Sequence, residues 1–482
     1  MVCAHSEPRF RARNASVWST RGLYIASMPM RLPLACLAIA TYAACSPPAL
    51  SSDGGVPNTC PAVTGMGTQR ASPTTNETWT AEASPHFITT GLTIPEGVTV
   101  TIAPCATVKL GPAANLNVNG KLVTQGTEGK PVHFGRLDAN QTWGFIDATR
   151  TLVKPPLELS WTVLEGGGAS TGANLEISSM VRVRANSGTG GEAMLKVDHV
   201  ELKGSSSVGI ELTDSATFTA GSNALTITGS ASEPIRMNAW ALTNLPSGNY
   251  AGNAVDYLVI NPYERLGVAG LAAEVVMHKR NVPYRIGTFG SSDLVLTLGA
   301  PTGTALTKLR IEAGVTVAFN KDSGVYIASV SDAASAELII EGTATEPVTL
   351  TSALTPTLAG DWRGIMFGAP PGPSTLLSYV VFEYSGSTNT QTNGFSCGTP
   401  PAPGPAKSGI MGALTFANSK PVTRQIMLHS TVRDSGSNGI DRGWTGDAVD
   451  YLATNTFERI AFCRQTAPRP SMGVCPNPAP CE

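Results

Sequence analysis

Short runs of alternating apolar residues, each closed by glycine or proline, recur through most of this 482-residue chain. An early stretch holds Leu92, Ile94, Val98, Val100, Ile102, Val108, Leu110, Leu116, Val118, Leu122, Val132 and Phe134. Within each run the step is two, which buries one face of a strand and leaves the other wet. The breaks read Pro-Glu-Gly, Ala-Pro, Gly-Pro-Ala-Ala and Gly-Thr-Glu-Gly-Lys-Pro, residues that supply turn dihedrals others resist. Asn119-Gly120 is the nearest candidate for a hairpin turn, and no such dipeptide sets the spacing. No long 3.6-period stretch intervenes, so strand–helix–strand units are not expected.

The runs also repeat at longer range. Gly126-Thr-Glu-Gly-Lys-Pro-Val132, Gly229-Ser-Ala-Ser-Glu-Pro-Ile235 and Gly342-Thr-Ala-Thr-Glu-Pro-Val348 share one pattern. Ile94–Ile102 matches Ile311–Phe319, and Trp143-Gly-Phe-Ile146 matches Trp362-Arg-Gly-Ile365. Leu159-Ser-Trp-Thr-Val-Leu-Glu165 matches Leu377-Ser-Tyr-Val-Val-Phe-Glu383. Asn253-Ala-Val-Asp-Tyr-Leu258 matches Asp447-Ala-Val-Asp-Tyr-Leu452, closing each half. The shared order predicts two tandem modules, at 79–276 and 277–464.

The series Ile-x-x-Gly-Val-x-Val, Leu-x-Val-x-Gly-x-Leu, Gly-Thr-x-x-x-Pro-Val and Trp-x-Gly-Ile resembles right-handed parallel β-helix proteins of the pectin-lyase-like superfamily. More narrowly, it resembles secreted bacterial lipoproteins with that repeat. The resemblance implies an all-β solenoid of parallel coils over most of 79–464. Stacked coils bury their apolar residues against one another and leave exposed edges at the two ends. The Cys60 region and the Cys-rich tail, 465–482, are candidate caps, with Cys60–Cys105 the preferred disulfide. Cys105 departs from the pattern, standing where glycine is expected after Ala-Pro.

Residues 1–44 read as a signal region whose true start is Met28 or Met30. Arg31 precedes an uncharged stretch, Leu32 to Ala44, too short to be a committed span. Ala43-Ala44-Cys45 resembles the core of a bacterial lipobox, with Tyr42 in place of the usual flanking residue. Acylation of Cys45 would leave Cys60, Cys105, Cys397, Cys463, Cys475 and Cys481, an even set able to pair in an oxidising compartment. Residues 45–78 are then expected to be a flexible tether.

Many proteins of this superfamily cleave acidic polysaccharides with clustered carboxylates. The closest groupings here are Asp198 with Glu201, Glu211 with Asp214, and Asp434 with Asp441. Charges at alternating strand positions are expected on a solvated face, so no catalytic residue is assigned. Glu165 and Glu383 match across the repeat, which suggests a structural turn role. Gly168-Ala-Ser-Thr-Gly172 has the spacing of a nucleophile elbow but lacks a following helix. His86, His133, His199, His278 and His429 show no metal-binding spacing, and no cofactor is expected. Trp143, Trp161, Trp240, Trp362 and Trp444 could stack on sugars, but the repeat matches favour packing.

Lys and Arg number 33 against 35 Asp and Glu, without a basic block, which argues against a nucleic-acid partner. The sequence thus points to a monomeric, non-catalytic lipoprotein at the bacterial outer membrane or cell surface. It would bind a polysaccharide or envelope component, or serve as adhesin or spacer, and touch the membrane only through its lipid. A diverged polysaccharide lyase or glycoside hydrolase is the alternative.

Overall fold

A computed structural model describes residues 58–149, 151–169, 178–188, 190–262, 265–267, 273–287, 295–299, 306–328, 334–387, 412–416, 422–442, 449–467 and 481–482. All belong to one compact unit, Val56–Glu482. Cys45, Cys397, Cys475, Ser170 and Trp444 lie outside the described residues.

The strands stack as a right-handed parallel β-helix with three faces. Face one is a single thirteen-stranded sheet running from Leu92–Ile94 to Thr456–Glu458. In the N-terminal part, faces two and three merge into a twelve-stranded sheet. They merge because Leu157–Glu165 and Glu192–Lys203 continue round the corner between them. In the C-terminal part the same two faces are separate five-stranded sheets, beginning at Val295–Leu298 and Ala273–Met277. Among the described residues the only helical turn is a 3-10 segment, Ala239–Leu242.

The alternation read from the sequence explains the core. One inward row of face one passes in register through Leu92, Leu116, Ile146, Val181, Ile210 and Ile235. It continues through Leu258, Tyr284, Val317, Leu350, Phe382 and Val432 to Phe457. All but Phe457 are buried. Each such aliphatic or aromatic side chain stabilises the coil by about 1.5–3 kcal/mol. The sheet crosses residue 277 without a break, since Leu258–Asn261 pairs with Tyr284–Ile286 and that strand with Thr316–Phe319.

Corners are made by residues in the left-handed region, several of them not glycine. Trp161, His199, Tyr379 and His429 have φ of 43°, 52°, 50° and 52°. Cys105 has φ 64°, so it occupies the conformation that the missing glycine would have adopted, and it is bonded to Cys60. Trp143 and Trp362 are buried, and their indole N–H groups donate to the carbonyls of Glu165 and Glu383 at 2.8 and 2.7 Å. The matched glutamates therefore close corners through their backbone.

The matched segments do not sit at equivalent corners. Leu159–Glu165 turns from face two to face three, whereas Leu377–Glu383 turns from face three to face one. Likewise Leu258–Asn261 is a face-one strand, but its sequence match at Leu452 is in a turn. What repeats is the chemistry of a corner rather than its place on the cross-section.

Residues 58–78, expected to belong to a flexible tether, instead pair with the coils. The Thr59 amide donates to Gly129 O, Thr68–Gln69 pairs with His86–Ile88, and Glu77–Trp79 with Thr99–Ile102. At the other end Cys463 is bonded to Cys481, and Thr466 bridges Cys481. Arg442, 2 % exposed, is met there by Thr466 O, Val449 O and the Glu482 carboxylate.

Candidate functional site

On the outer side of face one, next to the inward row, a second row runs through Thr93, Asn117, Asp147, Arg182, Glu211 and Arg236. In-register parallel strands place one residue per coil at steps of about 4.8 Å. The last four therefore form a cross-strand ladder of alternating charge, the favourable order for neighbours on a sheet.

The arginines are each engaged by a carboxylate. Arg182 donates through Nη2 and Nε to the two Asp147 oxygens at 2.7 and 3.2 Å, and its guanidinium lies 4.4 Å from the Phe145 ring centre. These bonds hold the Arg182 pKa above its ordinary value. Arg236 donates to Glu233, at 2.6 and 2.7 Å. Arg184 lies 3.3 Å from Asp214 and donates to Thr213 Oγ1 at 3.2 Å.

Glu211 differs. It is 1 % exposed, its Oε1 is 3.9 Å from Arg236 Nη1, and its Oε2 has no hydrogen-bond partner. Burial is the main cause pushing its pKa up to about 7, against the pull of Arg236, Arg182 and Arg184 and with the help of Glu233. A carboxyl poised there can take or give a proton near neutral pH. Asp147, Thr149, Arg182, Arg184, Glu211 and Thr213 line a groove of about 240 Å³.

The sequence groupings fare differently. Asp198 pairs with His199 on the surface, and Asp434 with Arg459. Glu211 and Asp441 are buried, contrary to the solvated face expected of them. Asp147, Arg182, Arg184, Glu233 and Arg236 were not singled out by sequence. Apart from Glu233, which lies in the turn before Ile235–Asn238, their signal is the apolar-charged-apolar triplet, as in Ile146-Asp-Ala148, Val181-Arg-Val183 and Ile235-Arg-Met237. Among the described residues no group of three or more His, Cys, Asp or Glu is placed to hold a metal ion.

Fold and groove together place the molecule in the class of parallel β-helix proteins with an ionisable surface groove. Residues 299–373 match the family model of a pectate-lyase-like beta helix domain. No curated protein and no solved structure matches the chain.

Proposed function

We propose that this chain is an exported cell-envelope protein, acylated at Cys45, whose β-helix binds an acidic polysaccharide in the face-one groove. The observation that carries the reading is the groove itself, where the half-exposed Arg184 stands with Thr149 and Thr213 beside the Arg182–Asp147 pair and the buried Glu211. Guanidinium and hydroxyl groups side by side suit the carboxylates and hydroxyls of a sugar acid. The groove lies on the continuous face, so a long polymer would meet no gap in the sheet. Disulfides Cys60–Cys105 and Cys463–Cys481 support an oxidising compartment. A single chain without a partner is the simplest form that presents this groove.

Cleavage of the polymer is the second reading, favoured by Glu211 alone, which combines a partnerless oxygen with a pKa near neutrality. The test is a panel of uronate-rich and neutral glycans offered to the purified mature chain, scored for retention and for new chain ends. Retention of uronate polymers without new ends supports binding, and new ends establish the enzyme. Equal retention of neutral glycans would overturn the groove reading. Metabolic labelling with a fatty-acid analogue, lost in Cys45→Ser, tests the anchor.

A further inference from the structure

Asp147 answers Arg182, Asp214 lies against Arg184 and Glu233 answers Arg236, so each arginine around the groove has its own carboxylate. Glu211 is the fourth carboxylate, left over after that pairing. The charged groups facing it are Arg182 and Arg184 from Ser179–Arg184, Arg236 from Ile235–Asn238, and Glu233 in the turn before that strand. Asp147 and Asp214 stand one contact further off, behind Arg182 and Arg184. An anion entering the groove therefore meets a net negative surround while Glu211 is ionised, and a neutral one once it is protonated. Desolvation inside the groove makes that single charge count for more than it would in water.

We propose that the groove takes a carboxylate-bearing sugar with Glu211 protonated, so that the ligand carboxylate meets Arg184 without a competing buried charge. Binding then takes up one proton from solvent at a pH where free Glu211 is ionised. Glu211 Oε2 is buried without a hydrogen-bond partner, which penalises the ionised form and favours the protonated one. Its raised pKa puts the proton within reach near neutrality. Arg184 is the guanidinium for the role because its side chain is 42 % exposed, against 32 % for Arg182 and 17 % for Arg236. The inference rests on the anionic-glycan reading above and names the protonation state and the cationic contact of that site.

The experiment is calorimetric titration with a galacturonate oligosaccharide and its neutral galactose counterpart, in buffers of different ionisation enthalpy, between pH 5.5 and 8.5. Sugar carboxylates stay ionised throughout, so a pH dependence belongs to the protein. The expected result is uptake approaching one proton at pH 8.5 and affinity falling about tenfold per pH unit above the Glu211 pKa. Glu211→Gln, folded by circular dichroism and thermal melt, should bind without proton uptake, with a flat pH profile and more tightly than wild type at pH 8.5. Arg184→Gln should weaken binding at every pH and leave the slope unchanged. Wild-type affinity independent of pH, or proton uptake that persists in Glu211→Gln, would overturn the protonation proposal and leave the groove standing. Absence of galacturonate binding across the range, or equal binding of the neutral sugar, would overturn the groove reading itself.

Discussion

Trp161 and His199 lie face to face on successive coils, ring centroids 4.0 Å apart and planes 2° from parallel. Both occupy the left-handed region that lets the strand turn from face two to face three. The stack offsets backbone strain that a glycine would avoid. Trp161→Ala and Trp161→Gly both lose the stack, but only alanine retains the strain. We expect the glycine variant to be the more stable of the two by about 1 kcal/mol in urea denaturation. The reverse order would show that the corner is not strained.

Glu211 makes a signed prediction for stability. Burial pushes its carboxyl up from the ordinary 4.5 to about 7 in the fold. The folded state therefore holds the proton more tightly, and the resulting stability is full below pH 4.5 and lost as pH rises through about 7. Glu211→Gln keeps the shape and removes the titration. Relative to wild type it should gain stability between pH 5 and pH 8, by at most about 3 kcal/mol. Parallel melts at the two pH values give the difference, and a constant offset between the proteins would contradict it.

Gly120 separates two reasons for glycine. A Cβ there would lie 2.2 Å from Val98 O in the coil above. At Gly97, with φ 78°, a Cβ would meet nothing within 4 Å. Gly97→Ala should cost about 1 kcal/mol through its dihedral alone. Gly120→Ala should cost about 2–3 kcal/mol, because backbone must move. Equal melting temperatures for the two variants would reject the distinction.

The Cys60–Cys105 bond closes a loop of 45 residues. Replacing both cysteines by serine should lower stability by about 3–4 kcal/mol on the chain-entropy account. The loss should appear first as faster proteolysis between residues 58 and 78. Unchanged cleavage there would mean that the strand pairing of Thr68–Gln69 and Glu77–Trp79 holds the segment unaided.

The fold was legible because its cause is local. Alternation such as Leu116-Asn-Val118 needs only neighbouring residues to declare an inward face, and a glycine or proline to end it. The groove was not, because its cause is register. Asp147 and Arg182 are 35 residues apart, with a strand and loops of unequal length between them. Only the ladder Ile146–Val181–Ile210 fixes which charged side chains meet. Burial of Glu211 was equally hidden, since its alternation in Ile210-Glu-Leu212 is that of a solvated position. The repeat was legible as sequence and misleading as geometry: Trp161 and Tyr379 match in type and in positive φ, yet turn different corners.

Face one also has a mechanical consequence. Thirteen rungs at about 4.8 Å make a rod on the order of 60 Å long. The hydrogen bonds between rungs lie along its axis, so an axial pull loads the rungs in series, and the end coils, each held by a neighbour on one side only, give way first. Such a rod resists bending yet yields by peeling, coil after coil, from an end. The Cys60–Cys105 and Cys463–Cys481 bonds cross-link the first and last turns where that peeling would start. They act as covalent stops on unravelling, and a stretched molecule should give way coil by coil, in steps as unequal as the coils, only after one of them is reduced.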